Sequence, residues 1–246
     1  MKKIFFFSFI IFLFARCDKA MESTAYSGSG QGGSMARFTV VGDYLYAVDE
    51  SNLKVFDVSR PEKPVLKRSV PVGFEIETIY PFKDKLFIGS TSMVHIFSIQ
   101  DPANPAKLSE AISPTVMRRC DPVVAKDNVA YATLRTNGPC GGIGSILAVY
   151  DITDITKPVQ KNAIGVSEPY GLGYSGNTLY VCDKMQGLIV FDITDPFQPV
   201  MHQSIKDGDY MDVIPYGNTL ICWTSTGVIL YDISTPATPV LLTTIS

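Results

Sequence analysis

The sequence predicts an all-β fold, a β-propeller of five four-stranded blades of about 40 residues each. Three observations predict it: a five-fold internal repeat, strand-type patterning inside every copy, and a composition of 46% apolar and 18% charged residues that lacks long Glu/Lys/Ala/Leu stretches. Such a chain has ample material for a packed core and is too apolar to stay disordered.

Residues 1–16 read as a signal peptide. Lys2 and Lys3 precede an unbroken run from Ile4 to Phe14 that is shorter than the roughly 18 to 20 apolar residues a bilayer span needs. The stretch Leu13-Phe14-Ala15-Arg16-Cys17 resembles the lipobox of bacterial lipoproteins, with Arg16 where a small residue is usual, and makes Cys17 the lipidation site. Residues 17–34 follow as a lipid-anchored Gly/Ser linker, and a chain of that composition is a flexible coil. The expected address is extracytoplasmic, on the bacterial envelope, with the membrane met through the lipid alone. Without residues 1–16 the chain has 18 basic against 24 acidic residues and no basic stripe, which argues against a nucleic-acid partner.

Residues 35–246 carry the repeat. Five phrases align: VFDVSRPEKPV from Val55, IFSIQDPANPA from Ile96, VYDITDITKPV from Val149, VFDITDPFQPV from Val190 and LYDISTPATPV from Leu230. Their closing prolines, Pro64, Pro105, Pro158, Pro199 and Pro239, are separated by 41, 53, 41 and 40 residues. The long step places an inserted loop of about 12 residues near Asn137–Gly144 in the third unit.

Upstream of each phrase stands a turn followed by a strand: GDYLYAVD at Gly42, KDKLFIGS at Lys83, KDNVAYAT at Lys126, GNTLYVCD at Gly176 and GNTLICWT at Gly217. In the fourth unit the four strands are predicted at Tyr170–Tyr174, Thr178–Cys182, Leu188–Ile193 and Val200–Ile205. Asp57, Asp151, Asp192 and Asp232, with Ser98 in the second copy, are expected to form turns by accepting local backbone N–H groups. The final unit runs through its own fourth strand, so the way the ring closes is left open, an arc that pairs with a second chain included.

The wording of GLIVFDITDPFQPV and NTLYVCD resembles LVIVD repeats of bacterial surface and periplasmic proteins, and the resemblance covers residues 35–246. It implies a β-propeller. It implies neither an activity nor a ligand, and carries over no functional residue.

Of the five cysteines, Cys120 and Cys140 are the expected disulfide, closing a loop of about 20 residues worth roughly 3 kcal/mol. Cys182 and Cys222 sit among apolar strand residues and read as buried thiols. His95 and His202 stand alone, no Cys pair has ligand spacing, and no complete nucleophile or phosphate-loop motif is present. No metal, cofactor or catalytic residue is assigned.

Aligning the units brings Arg37, Glu75, Glu77, Arg119, Asp121, Glu168, Tyr170, Asp209 and Asp212 to the starts of the first strands, which line a propeller's channel. These residues form the expected ligand-binding rim. The functional expectation is a non-catalytic envelope binding module for an envelope protein or glycan. The alternatives are a glycan- or peptide-acting hydrolase or lyase using carboxylates at the channel mouth, and a structural scaffold of an envelope complex.

Overall fold

The computed structural model describes residues 32–114, 122–136 and 144–246, and within them all regular elements are strands. Blade 1 contains β1 (Phe38–Val41), β2 (Tyr44–Val48), β3 (Asn52–Asp57) and β4 (Val65–Pro71), and blade 2 contains β5 (Ile76–Phe82), β6 (Lys85–Ser90), β7 (Val94–Ser98) and β8 (Ala106–Ala111). Blade 3 is β9 (Val123–Lys126), β10 (Val129–Leu134), β11 (Ser145–Asp151) and β12 (Val159–Val166). Blade 4 is β13 (Pro169–Ser175), β14 (Thr178–Asp183), β15 (Gly187–Asp192) and β16 (Val200–Ile205), within one or two residues of the sequence expectation. Blade 5 is β17 (Tyr210–Tyr216), β18 (Thr219–Thr224), β19 (Gly227–Asp232) and β20 (Val240–Ile245). Every blade is one antiparallel sheet whose strands lie in chain order.

The repeated phrases explain the repeated geometry. Each first hairpin has a two-residue loop whose first residue has φ of 54 to 57°: Gly42, Lys83, Asp127, Gly176 and Gly217. In the third unit that residue is Asp127 and not the Lys126 that the aligned wording suggests, a one-residue offset that keeps Ala130 and Tyr131 in phase with Leu45 and Tyr46. The turn role of the acids is as expected: Asp192 accepts Thr194 N–H at 2.8 Å, Asp232 accepts Ser234 N–H at 2.7 Å, and Ser98 Oγ accepts Gln100 N–H at 3.3 Å. A register shift recurs at the same place in all five blades, between Val55/Phe56, Ile96/Phe97, Val149/Tyr150, Val190/Phe191 and Leu230/Tyr231. Such a bulge increases the local twist of the outer edge.

Alternate residues of the middle strands face the preceding and the following blade. Leu86, Ile88 and Phe97 of blade 2 join Tyr46, Leu53 and Val55 of blade 1 in one core, and equivalent cores join blades 2 to 3, 3 to 4 and 4 to 5. Three of these junctions carry the same staple: a second-strand tyrosine hydroxyl donates to the carbonyl of a turn proline in the next blade. The pairs are Tyr46–Pro102 (2.9 Å), Tyr131–Pro196 (2.9 Å) and Tyr180–Pro236 (2.7 Å), whereas Phe87 in blade 2 has no hydroxyl.

The junction between blades 5 and 1 differs. The second strands β2, β6, β10 and β14 each pack on the first strand of the blade that follows, and β18 does not pack on β1 to a comparable extent. Leu45, Ala47 and Phe56 of blade 1 and Ile221, Val228 and Leu230 of blade 5 are only partly covered, and Trp223 is 54% exposed, where their counterparts in blades 2 to 4 are buried. Ile221 stands where three other blades have the stapling tyrosine. The ring is instead bridged at its centre by residues 33–36. Ser34 Oγ accepts Leu172 N–H of blade 4 at 2.7 Å and donates to Asp212 of blade 5 at 3.3 Å, and Ala36 O accepts Ile79 N–H of blade 2 at 2.8 Å.

Candidate functional site

The bridging segment divides the axial channel into two ends. At the lower end, Gly32 and Ser34 line a cavity of about 120 Å³ with Tyr80, Tyr174 and Pro215 near the C-terminal ends of the first strands. At the upper end, Met35 and Arg37 line a cleft of about 280 Å³ with Glu77, Arg135 and Tyr170 near the first-strand starts. The chain therefore climbs the channel from residue 32 to residue 37 before turning into β1. Of residues 32–34, assigned to the linker by composition, Gly33 and Ser34 are buried in the fold.

Four blades contribute polar side chains to the upper cleft, blade 2 both Glu77 and Thr78. Arg37 enters from blade 1; its carbonyl accepts Val48 N–H at 2.9 Å, extending the β1–β2 ladder, and its Nη2 donates to Ile76 O at 3.2 Å. Glu77 comes from β5, where burial raises its carboxyl above the usual range against the opposing pull of Arg135 and Arg37. Arg135 follows β10 and lies over the Tyr170 ring of blade 4, 4.2 Å from its centroid. Thr133 Oγ1 donates to Tyr170 O at 2.6 Å, so the same two blades that supply the stacked pair also fix its spacing. Asp183, fully buried, accepts Ser167 N–H at 2.8 Å and Glu168 N–H at 3.0 Å and so holds the turn that presents Tyr170. Pro122 and Pro169 supply apolar wall.

The expected rim thus divides. Arg37, Glu77 and Tyr170 meet in the cleft. Glu75 turns aside: its backbone has φ of 54°, and its carboxylate takes the hydroxyl of Thr91. Glu168 lies 3.4 Å from the Tyr170 hydroxyl and 3.8 Å from Lys184 Nζ. Asp209 lines a separate groove of about 420 Å³ between blades 4 and 5 with Lys184 and Lys206.

Asp212 corrects the rim alignment most clearly. It is 8% exposed, lies beneath Ser34 and Met35, and accepts from the hydroxyl of one at 3.3 Å and the N–H of the other at 3.4 Å. Burial pushes its carboxyl up to about 6, opposed by these hydrogen bonds and that of Val213 N–H. Arg119, Asp121 and the cysteines Cys17, Cys120 and Cys140 lie outside the described residues.

Arg135 was not singled out by sequence. Its counterparts at the same repeat position are Glu50, Thr91, Lys184 and Ser225, and this scatter at a rim position is the one signal that marks it. Cys182 and Cys222 are buried and free, with burial raising both thiols. Among the described residues no three His, Cys, Asp or Glu side chains gather as metal ligands, and no helix is long and apolar enough to cross a membrane.

The LVIVD repeat matches residues 32–72 and 172–207. No curated protein matches the chain. Among solved structures, the chain is similar to a functionally unknown protein from Desulfotomaculum acetoxidans DSM 771 (TM-score 0.64, 14% identity, 83% of this chain and 68% of that one). It is also similar to the periplasmic gluconolactonase PpgL of Pseudomonas aeruginosa (TM-score 0.62, 13% identity, 83% and 67%). The computationally designed Ika8 protein aligns with a TM-score of 0.57 and 15% identity over 85% of this chain, which spans only 60% of the length of that protein. At these identities the likeness concerns the fold. With the same four-stranded sheet built five times, the chain is a five-bladed β-propeller that carries the LVIVD repeat in blades 1 and 4.

Proposed function

We propose that this chain is a non-catalytic binding module held at a bacterial envelope by a lipid on Cys17, and that its ligand seats in the upper cleft. The observation that carries the reading is the convergence of Arg37, Glu77, Arg135 and Tyr170, from four different blades, on one concavity of about 280 Å³. Ligand pockets are concave, partly apolar and furnished with a few convergent polar groups.

The path of the N-terminal segment supports the same reading. Gly32 lines the lower cavity and Arg37 the upper cleft, so the segment from residue 32 enters at the lower end and the cleft opens at the opposite one. One solved relative of the fold is named a gluconolactonase. Hydrolysis between two carboxylates is not favoured here, because Glu77 is the only carboxylate lining the cleft among the described residues.

A thermal-shift screen of sugars, sugar acids, amino acids and short peptides tests the proposal with wild-type protein and Arg135→Ala. At least one compound is expected to raise the melting temperature of the wild type and not that of the variant. A panel in which every active compound shifts both proteins equally, or in which none is active, contradicts it.

A further inference from the structure

We infer that the cleft recognises a small hydroxylated carboxylic acid, of the sugar-acid class, with Arg135 and Arg37 holding its carboxylate and Glu77 meeting a hydroxyl. The inference rests on the reading of the cleft as the ligand site and specifies the chemistry of what enters it.

Two guanidinium groups from different blades line one small cavity, and neither forms an ion pair with a carboxylate among the described residues. Arg37 uses one N–H on a backbone carbonyl. Arg135 has its Nε buried with no hydrogen-bond partner among the described residues. A buried donor left unsatisfied costs about 1–3 kcal/mol, so a site that keeps one is completed by an acceptor from outside. The Tyr170 ring, 4.2 Å from the Arg135 Cζ, holds the guanidinium in the cleft, and a guanidinium presents a fork of donors that matches a carboxylate.

Glu77 narrows the class. Two cationic groups against one acid leave a surplus of one positive charge, which suits a monoanion better than a doubly charged phosphate that the carboxylate would repel. The Glu77 carboxylate accepts a hydrogen bond from a hydroxyl of the ligand. Met35, Pro122 and Pro169 give the cavity apolar wall for a carbon skeleton, and about 280 Å³ is at the small end of ligand pockets. The groove between blades 4 and 5 is larger but sets Lys184 and Lys206 beside Asp209, with no aromatic wall.

Isothermal titration of the full chain at pH 7 with D-glucuronate, D-glucose and D-glucosamine isolates the charge, because the three share a ring and differ in one substituent. Glucuronate is expected to bind at least about tenfold more tightly than either of the others, a difference near 1.4 kcal/mol. Arg135→Gln and Arg37→Gln should each weaken it by about tenfold or more, and added salt should weaken it further. Melting temperatures of the variants show whether each is folded, and a loss seen only in an unfolded variant does not count in favour. Equal binding of glucose and glucuronate would overturn the acid class while leaving the cleft as a ligand site. No heat from any of the three at millimolar concentration would overturn the inference, whereas the broader thermal-shift screen alone decides whether the cleft binds ligand at all.

Discussion

Asp212 receives the hydroxyl of Ser34 at 3.3 Å across a sequence separation of 178 residues, joining the segment before β1 to the first strand of the last blade. The carboxyl is buried, and its proton is held up to about 6, so between the ordinary aspartate range and that value the folded state binds a proton that the unfolded chain has released. Stability contributed by Asp212 is therefore complete at low pH and is lost as pH rises through about 6.

Asp212→Asn should remove that dependence while keeping an oxygen for Ser34. Calorimetry at pH 4, 5, 6 and 7 should find the melting temperature of the variant gaining on the wild type as pH rises, by up to about 3 kcal/mol of stability across the window. A difference that stays constant with pH would mean that Asp212 is ionised in the folded state throughout.

The close approach of β13 to Asp212 allows no side chain at Gly171, where a Cβ would lie 2.0 Å from Oδ1 and 2.9 Å from the Asp212 Cα. Gly171→Ala should destabilise by about 1–3 kcal/mol in urea unfolding. At Gly165 in β12 a Cβ would meet nothing within 4 Å, and Gly165→Ala should be neutral or slightly stabilising.

Leu179 and Leu45 occupy the same place in their blades, facing the blade before, but Leu179 is fully buried against blade 3 while Leu45 lies partly open at the blade 5–blade 1 junction. Leu179→Ala should cost about 2–5 kcal/mol, and Leu45→Ala less than half as much. Equal losses would show that blades 5 and 1 are sealed in solution like the other four junctions.

Asp192 is a turn residue whose carboxyl is held below the usual range by the Thr194 hydroxyl and N–H. Asp192→Ala should lower the melting temperature at pH 7, and the deficit should shrink as pH falls below about 4, when the wild-type carboxylate also loses its charge.

The blades were legible in the sequence because each repeats the same local chemistry. The Asp of Asp-Ile-Thr and the Ser98 that replaces it offer the same acceptor to the residue two positions on, so the substitution alters no turn. The tyrosines of the second strands were readable as strand residues, but the staple from Tyr131 to Pro196 joins side chain to backbone between blades, and no local pattern announces it. Arg37, Glu77 and Tyr170, which alignment brings to the first-strand starts, line the upper cleft together. Asp212, aligned with them, lies instead beneath Ser34 and Met35, and nothing in Gly-Gly-Ser-Met-Ala says that residues 32–36 climb the channel and cover it. Arg135 escaped notice because it precedes the inserted loop, where the third copy parts from the others.

Hydrogen exchange of the full chain with and without saturating D-glucuronate tests most directly whether the upper mouth of the channel is the ligand site. Slowed exchange is expected in peptides covering residues 35–37, 76–78, 133–136 and 168–171. Protection confined to the lower cavity, to the groove between blades 4 and 5 or to the outer strands would contradict the account.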